Sequence, residues 1–127
     1  MPFKDASKHR MLNHLAGNAA TAGPITHASL HTGFPATAGN EITGGTPAYA
    51  RKALTFEAAA GTEAAGSVDV TAAPTFDVPA STTVAAVGYW TALTGGTLMA
   101  DSDVTPDEVY AGQGTYQLTD ADLGITG

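Results

Sequence analysis

The stretch TTVAAVGYWTALTGGTLMA, residues 82–100, decides the fold that this sequence predicts. Its first part, as far as Leu93, carries apolar residues on both faces, which is typical of a central, buried strand. Gly95 and Gly96 interrupt this run before TLMA resumes it. Two glycines between apolar runs indicate a tight hairpin turn. We therefore expect a central hairpin here, and its first strand should be the most buried one.

The segments on either side of this hairpin alternate between apolar and polar residues, as half-buried strands do. ITHASLH places Thr26, Ala28 and Leu30 on one face, and YARKALTFE directs Leu54 and Phe56 inward. The segments with this pattern are residues 25–31, 49–57, 67–79 with a bend at Pro74, and 114–126 with a bulge or small turn at TDAD. With the hairpin they make about seven short strands, separated by Gly and Pro.

The N-terminal segment has a helical pattern. Residues 4–16 predict a short helix, capped by Asp5 or Ser7 and ended by Gly17. Its narrow apolar face consists of Met11, Leu12 and Leu15. Three apolar residues do not hold a helix in water, so this helix needs a surface on its own chain or on a neighbour.

Two other segments predict local structure outside the strands. TPDE, residues 105–108, is a capping box with proline at the first helical position, which predicts one helical turn ended by Gly112. AAAGTEAAG, residues 58–66, is rich in alanine and glycine and predicts a mobile tip.

The composition agrees with a thin core between two sheets. The 127 residues suit one domain, and large side chains are scarce, with one Trp, four Tyr and four Phe. We predict a mainly β fold, an antiparallel β-sandwich of jelly-roll or immunoglobulin-like type with a short N-terminal helix. Residues 1–23 are predicted to form an N-terminal arm and residues 24–127 the sandwich domain. Without cysteine, no disulfide framework is available.

The charge is unevenly distributed along the chain. All five basic residues lie within the first 52 positions, whereas ten of the twelve acids follow. An acidic body repels nucleic acid, so no nucleic-acid partner is expected. No apolar run approaches the roughly 20 residues of a membrane span, so no membrane partner is expected either. The basic arm suits an acidic partner, or is simply a solvated helix.

The glycine-rich loop GNEITGGTPAYAR, residues 39–51, resembles a phosphate-binding loop only superficially. It lacks the Gly-Lys-Ser/Thr ending of a P-loop, and a strand rather than a helix follows it. We expect Gly39, Gly44 and Gly45 to allow positive φ, and Asn40 to bond the loop to itself. Arg51 is expected to pair with a carboxylate such as Glu41. The loop then turns a corner and presents a contact surface.

No set of side chains predicts catalysis, cofactor binding or a metal site. His27 and His31 lie on one strand face roughly 13 Å apart, too far to share a zinc ion, so we expect polar-face histidines at an edge or interface. The acid pairs Asp101/Asp103, Asp107/Glu108 and Asp120/Asp122 lack a complete calcium-loop pattern. An enzyme would require a pocket that contains both histidines and a carboxylate.

Several fragments together resemble a known family. They are MLNHLAGNA, HASLHTGFPATAGNEITGG, YARKALTFEAA, VGYWTALTGGTLMAD and AGQGTYQLTDADLGI. Together they resemble small virion proteins of tailed phages, especially actinobacterial ones, described as capsid decoration, minor capsid, tail fibre-like or minor tail proteins. The resemblance implies a non-enzymatic structural protein in the virion.

Within that family, the capsid surface is the favoured location because the chain shows no fibre repeat. A decoration protein would bind the major capsid protein and other copies of itself, with a homotrimer favoured. The predicted contact residues are Phe3, Lys8, Arg10, Met11, Leu12, Leu15, Tyr49 and Arg51. The alternative is a tail or tail-fibre component, in which exposed aromatic residues contact cell-wall glycans. The candidates for that contact are Phe34, Tyr49, Tyr89 and Tyr110.

Overall fold

A computed structural model describes residues 3–19, 23–58, 60–62, 65–119 and 122–124. The chain begins with helix α1 (Asp5–Leu15) and continues with strand β1 (His27–His31) and a 3₁₀ turn (Ala38–Asn40). The remaining strands are β2 (Lys52–Ala53), β3 (Ala60–Thr62), β4 (Ala65–Asp69), β5 (Thr75–Val78), β6 (Thr82–Trp90), β7 (Leu98–Tyr110), β8 (Gly114–Gln117) and β9 (Asp122–Gly124).

The principal sheet has four antiparallel strands in the order β2-β1-β6-β7. Residues 84–90 of β6 are all buried, so the predicted central strand is confirmed. The turn that follows has positive φ at Gly95 and Gly96, 61° and 74°, as the predicted hairpin requires. The stretch that is apolar at every position therefore lies inside the sheet, where both of its faces are covered.

Two smaller sheets complete the fold. Strands β5 and β8 form one, and β3, β4 and β9 form the other in that order. Phe76 and Val78 of β5 are fully buried and share a core with Leu30 of β1 and Tyr89 of β6. The chain is therefore mainly β, antiparallel and layered, with one short helix among the described residues, as the predicted β-sandwich requires.

The predicted helical turn at TPDE is wrong, because these residues belong to β7. Val84 pairs with Glu108 and Ala86 with Asp103, so β7 carries extra residues opposite β6 at this point. Thr105 and Pro106 lie in the resulting bulge. A bulge accommodates a proline that cannot donate to the ladder, and the pairing of the flanking residues outweighs the local helical signal.

Three other local predictions need correction. AAAGTEAAG contains the paired strands β3 and β4 rather than only a tip, although residues 59, 63 and 64 lie outside the described part. Between residues 49 and 57 the only regular strand is Lys52–Ala53, although Leu54 is buried as expected. The break at TDAD separates β8 from β9, which pair with different strands; residues 120 and 121 are not described.

The polar side of β1 is also not at an edge. Strand β1 lies between β2 and β6, so it is not an edge strand. Both of its faces are covered, since Ala28 and Leu30 on one face and Ser29 and His31 on the other are fully buried. The alternation in ITHASLH therefore separates an apolar from a polar buried face. A period of two does not tell a buried polar face from an exposed one, because it reports the polarity of the residues and not their burial.

Candidate functional site

Helix α1 and the residues before it are hydrogen-bonded to the edge strand β7 of the same chain. Phe3 forms a β-bridge with Ala100, and the backbone N–H of Lys4 donates to the carbonyl of Met99 at 2.9 Å. The Ser7 hydroxyl donates to the same carbonyl. Lys4 occupies the N-cap position without a side-chain cap, so the predicted capping by Asp5 or Ser7 is wrong. Ser7 is instead buried as an anchor of the helix.

The apolar face of α1 is only partly covered by these contacts. Phe3 packs against the core and Met11 is half-buried, but Leu12 and Leu15 are 63% and 82% exposed. Arg10 is half-buried, and Lys8 forms an exposed ion pair with Asp5 at 3.4 Å. Between the helix and the sheets lies an apolar cavity of about 230 Å³, lined by side chains that include Phe3, Met11, Ile25, Phe56 and Met99.

Asp101 is an anchor of the fold that the sequence did not predict. Its carboxylate is fully buried; Oδ2 accepts from the Lys4 ammonium and from the Ala36 backbone N–H, each at 2.9 Å. Asp101 thus joins the N-terminal arm, β7 and the loop after β1. The sequence offered one signal for this contact, because Asp101 directly follows the apolar run TLMA. A charge inside a buried strand requires a partner.

Arg51 and Glu41 form the predicted ion pair. Arg51 Nη2 lies 2.8 Å from Glu41 Oε1, and Arg51 Nε donates to Oε2 at 2.9 Å, which makes the contact bidentate. The guanidinium also lies 3.8 Å from the centre of the Trp90 ring. Arg51 Nη1 donates to the carbonyls of Ala92 and Gly95, so the pair connects the loop before β2 with the β6–β7 turn.

Tyr49 belongs to the same group. Its hydroxyl donates to Glu41 at 3.0 Å and accepts from the Leu30 backbone N–H, and burial raises its pKa. Burial alone would raise the pKa of Glu41, but the bonds from Arg51 and Tyr49 outweigh it and hold that pKa below its usual value. The carboxylate therefore remains charged and serves as a fixed acceptor inside the protein.

A second polar network surrounds His31. Trp90 Nε1 donates to the Ser29 hydroxyl at 2.7 Å, so this hydroxyl is free to donate its own proton to His31 Nε2 at 2.6 Å. His31 Nδ1–H then donates to Asn40 Oδ1 at 2.7 Å. Burial lowers the pKa of His31, against the opposing effect of the Asn40 bond. These bonds define a neutral imidazole protonated on Nδ1.

Asn40 extends this network into the loop, as predicted. Its side-chain amide donates to the carbonyls of Gly33 and Pro35, and its oxygen also accepts from the Thr37 backbone N–H. Gly44 and Gly45 adopt the expected positive φ, 88° and 98°, whereas Gly39 does not. The loop is thus held by internal bonds. Because Ser29 and His31 have no exposed surface, a substrate cannot reach this serine–histidine pair.

The structure divides the eight predicted contact residues into two groups. Phe3, Lys8, Arg10, Met11, Leu12 and Leu15 belong to the N-terminal arm, where Leu12 and Leu15 are the most exposed apolar members. Tyr49 and Arg51 instead make contacts within the chain, and the Arg51 side chain is only 8% exposed. The exposed part of the site is therefore the helix.

These features define a class: a small antiparallel β protein whose polar clusters hold its own loops and whose helix presents leucines to solvent. A model of the family described as "Gp80: Podophage GP4 fiber I protein gp80" matches residues 2–126. The chain belongs to this family, and the expected relation to phage virion proteins is thereby supported. Because this family is described as a fibre protein family, the match favours the tail or tail-fibre alternative over capsid decoration. A search of curated proteins found no match.

Within the described ranges, no group of three His, Asp or Glu side chains is arranged to hold a metal ion. No helix of the described residues is both long and apolar enough to cross a membrane.

Proposed function

We propose that this protein is a non-enzymatic structural subunit of a fibre on a phage particle. The observation that carries the proposal is the family match, which extends over residues 2–126 and so includes the helix, the sheets and the loops. The geometry supports a structural role. Asp101, Glu41, Arg51 and His31 are engaged in internal contacts that fix the fold, and Ser29 and His31 are inaccessible to solvent.

The surface available for assembly is the outer face of α1. Leu12 and Leu15 expose apolar area that a neighbouring subunit would remove from water. Other copies of this chain are the proposed partners, with a homotrimer as the favoured state. Of the aromatic side chains considered for glycan contact, Tyr89 is excluded because it is fully buried, whereas Phe34 is 46% exposed.

The location is tested by immunogold labelling of purified particles with antibodies against this chain. Gold at the fibres is the expected result, and pre-immune serum provides the background. Gold distributed over the head shell, with none at the fibres, would overturn the fibre proposal.

Capsid decoration is the second candidate, and the basic character of the N-terminal arm is the observation that favours it. Lys8 and Arg10 of the helix outnumber Asp5, which suits docking on an acidic patch of the major capsid protein. A chain without residues 2–16 that still binds shells would contradict this candidate. The comparison requires that the shortened chain keeps the β-type circular dichroism of the full chain.

A further inference from the structure

The outer edge of strand β7 has two chemically different parts. Strand β7 is the last strand of the principal sheet, so one of its sides has no neighbouring strand among the described residues. The N-terminal arm covers the beginning of this edge, where Phe3 pairs with Ala100 and Lys4 bonds to Met99. Within and after the bulge, residues 105–109 are all exposed, as is Asp103 before it.

This uncovered part is both acidic and apolar. Asp103, Asp107 and Glu108 are exposed, and the side chain of Val109 is 77% exposed. An open strand edge is a template for pairing with another chain. Antiparallel pairing of two such edges, however, would bring the same acids together across the interface, and like charges opposite one another are destabilising. The charges therefore disfavour edge-to-edge pairing and favour a basic partner.

Helix α1 has the complementary chemistry. Leu12 and Leu15 are its exposed apolar residues, and the Lys8 side chain is 58% exposed. Ten acids and no Lys or Arg lie after residue 52, so the N-terminal part of another copy is the basic surface that this protein itself supplies. Opposite charges around exposed apolar side chains favour association and fix its orientation.

We propose that α1 of one copy binds residues 103–109 of strand β7 in a second copy. The basic residues of the helix face the acids, and its leucines cover the region of Val109. Since every chain carries both surfaces, the contact repeats until it closes, as a reciprocal dimer or as a ring such as the homotrimer. This contact does not depend on the fibre assignment.

A charge-reversal pair tests the contact in the full chain. Lys8→Glu reverses the charge at position 8 of the helix and Asp107→Lys reverses one acid of the edge, so each single variant sets like charges against each other where position 8 faces position 107. We expect each to weaken self-association by about tenfold or more in sedimentation velocity. The double variant Lys8→Glu/Asp107→Lys restores opposite charges between positions 8 and 107 and should recover most of the affinity that either single variant loses. Association of the wild type should weaken as salt rises.

Matched reversals elsewhere provide the control. Lys52→Glu and Glu57→Lys change the net charge by the same amounts outside the proposed surfaces and should leave association unchanged. Circular dichroism of each variant establishes that it folds. A wild-type chain that stays monomeric at millimolar concentration, single reversals that associate like the wild type, or a double variant that does not recover would each overturn the proposal.

A mixture of the two single variants distinguishes a reciprocal dimer from a three-membered ring. In a reciprocal dimer of one Lys8→Glu chain with one Asp107→Lys chain, both contacts join opposite charges, so the mixture should associate like the wild type. In a three-membered ring of these two chains, at least one contact joins like charges, so recovery should be partial. The mass of the wild-type species must agree with whichever result is obtained.

Discussion

The side-chain ammonium of Lys4 lies 2.9 Å from Oδ2 of Asp101, a fully buried carboxylate 97 positions away in the chain. The same oxygen accepts a hydrogen bond from the backbone N–H of Ala36. Three segments therefore meet at one carboxylate: the N-terminal arm, the edge strand β7 and the loop after β1. This contact keeps α1 on the edge strand and leaves its outer face directed to solvent.

Removal of the Lys4 ammonium should destabilise the fold through Asp101. Lys4→Met keeps much of the side-chain length but leaves a buried carboxylate without its cation, and we expect a loss of about 1–3 kcal/mol in the free energy of unfolding by urea. The control is Lys8→Met, which removes an exposed pair with Asp5 and should cost less than about 0.5 kcal/mol. Equal losses in the two variants would contradict the role of Asp101.

Replacement of Arg51 should be among the most destabilising changes to a charged residue. Arg51→Ala leaves the partly buried Glu41 without its cation, uncovers the Trp90 ring and removes the bonds to Ala92 and Gly95. We expect a loss of about 3–5 kcal/mol, measured by urea unfolding. Arg51→Lys should recover little, since an ammonium cannot bond in a bidentate manner. The neighbouring Lys52→Ala is the control; a similar melting temperature for Arg51→Ala and Lys52→Ala would refute the prediction.

The burial of neutral His31 should make stability depend on pH. Its pKa in the folded state is below its ordinary value of 6.5, so the unfolded chain binds more protons. Stability is then fully present above pH 6.5 and falls as the pH decreases through that value, by up to about 1.4 kcal/mol per pH unit. Glu41 acts in the same direction only below its usual pKa of 4.5, so the window from pH 6.5 to 5 isolates the histidine.

His31→Gln should therefore be less stable at pH 7.5 and should show a flatter stability curve between pH 6.5 and 5. Urea unfolding at several pH values measures this slope. His14→Gln, which changes an exposed side chain, is the matched control and should keep the wild-type slope. An unchanged slope in His31→Gln would show that another group causes the acid sensitivity.

Gly88 should tolerate no side chain, because the β1 network packs directly against it. A Cβ atom at this position would lie 2.6 Å from His31 Nε2 and 2.6 Å from Ser29 Oγ. Gly88→Ala should therefore displace the Trp90–Ser29–His31 hydrogen bonds and cost about 1–3 kcal/mol or more. Thermal unfolding measures the loss. At Gly112 a Cβ atom would meet nothing within 4 Å, so Gly112→Ala should be nearly neutral.

The sequence predicted the strands best where burial and pattern agree. The β6–β7 hairpin follows from a long apolar run ended by two glycines, and both signals are local. It predicted β7 poorly, because TPDE has a genuine helix-start signal that the pairing of Glu108 with Val84 overrides. The exposed acids of the proposed contact lie in this region, so the error in the strand also concealed the candidate surface.

The ion pairs also differ in whether the sequence predicts them. The Arg51–Glu41 pair was predictable, because ten positions within one loop bring the two side chains within reach. The Lys4–Asp101 pair was not, because only the docking of the N-terminal arm on β7 brings those residues together. Likewise, ITHASLH does not reveal that its polar side is buried, since that depends on the contacts of Ser29 with Trp90 and of His31 with Asn40.

The sequence by itself determined the mainly β class, the central hairpin, the short helix and the internally bonded loop. These follow from local periodicity and turn chemistry, which act over a few residues. Only the tertiary structure decided which polar residues are internal anchors and which remain available. Burial of Asp101, His31 and Arg51, and exposure of Leu12 and Leu15, depend on contacts between segments distant in the chain. Whether a charge or an apolar side chain meets water is set by packing, and local sequence does not encode packing on its own.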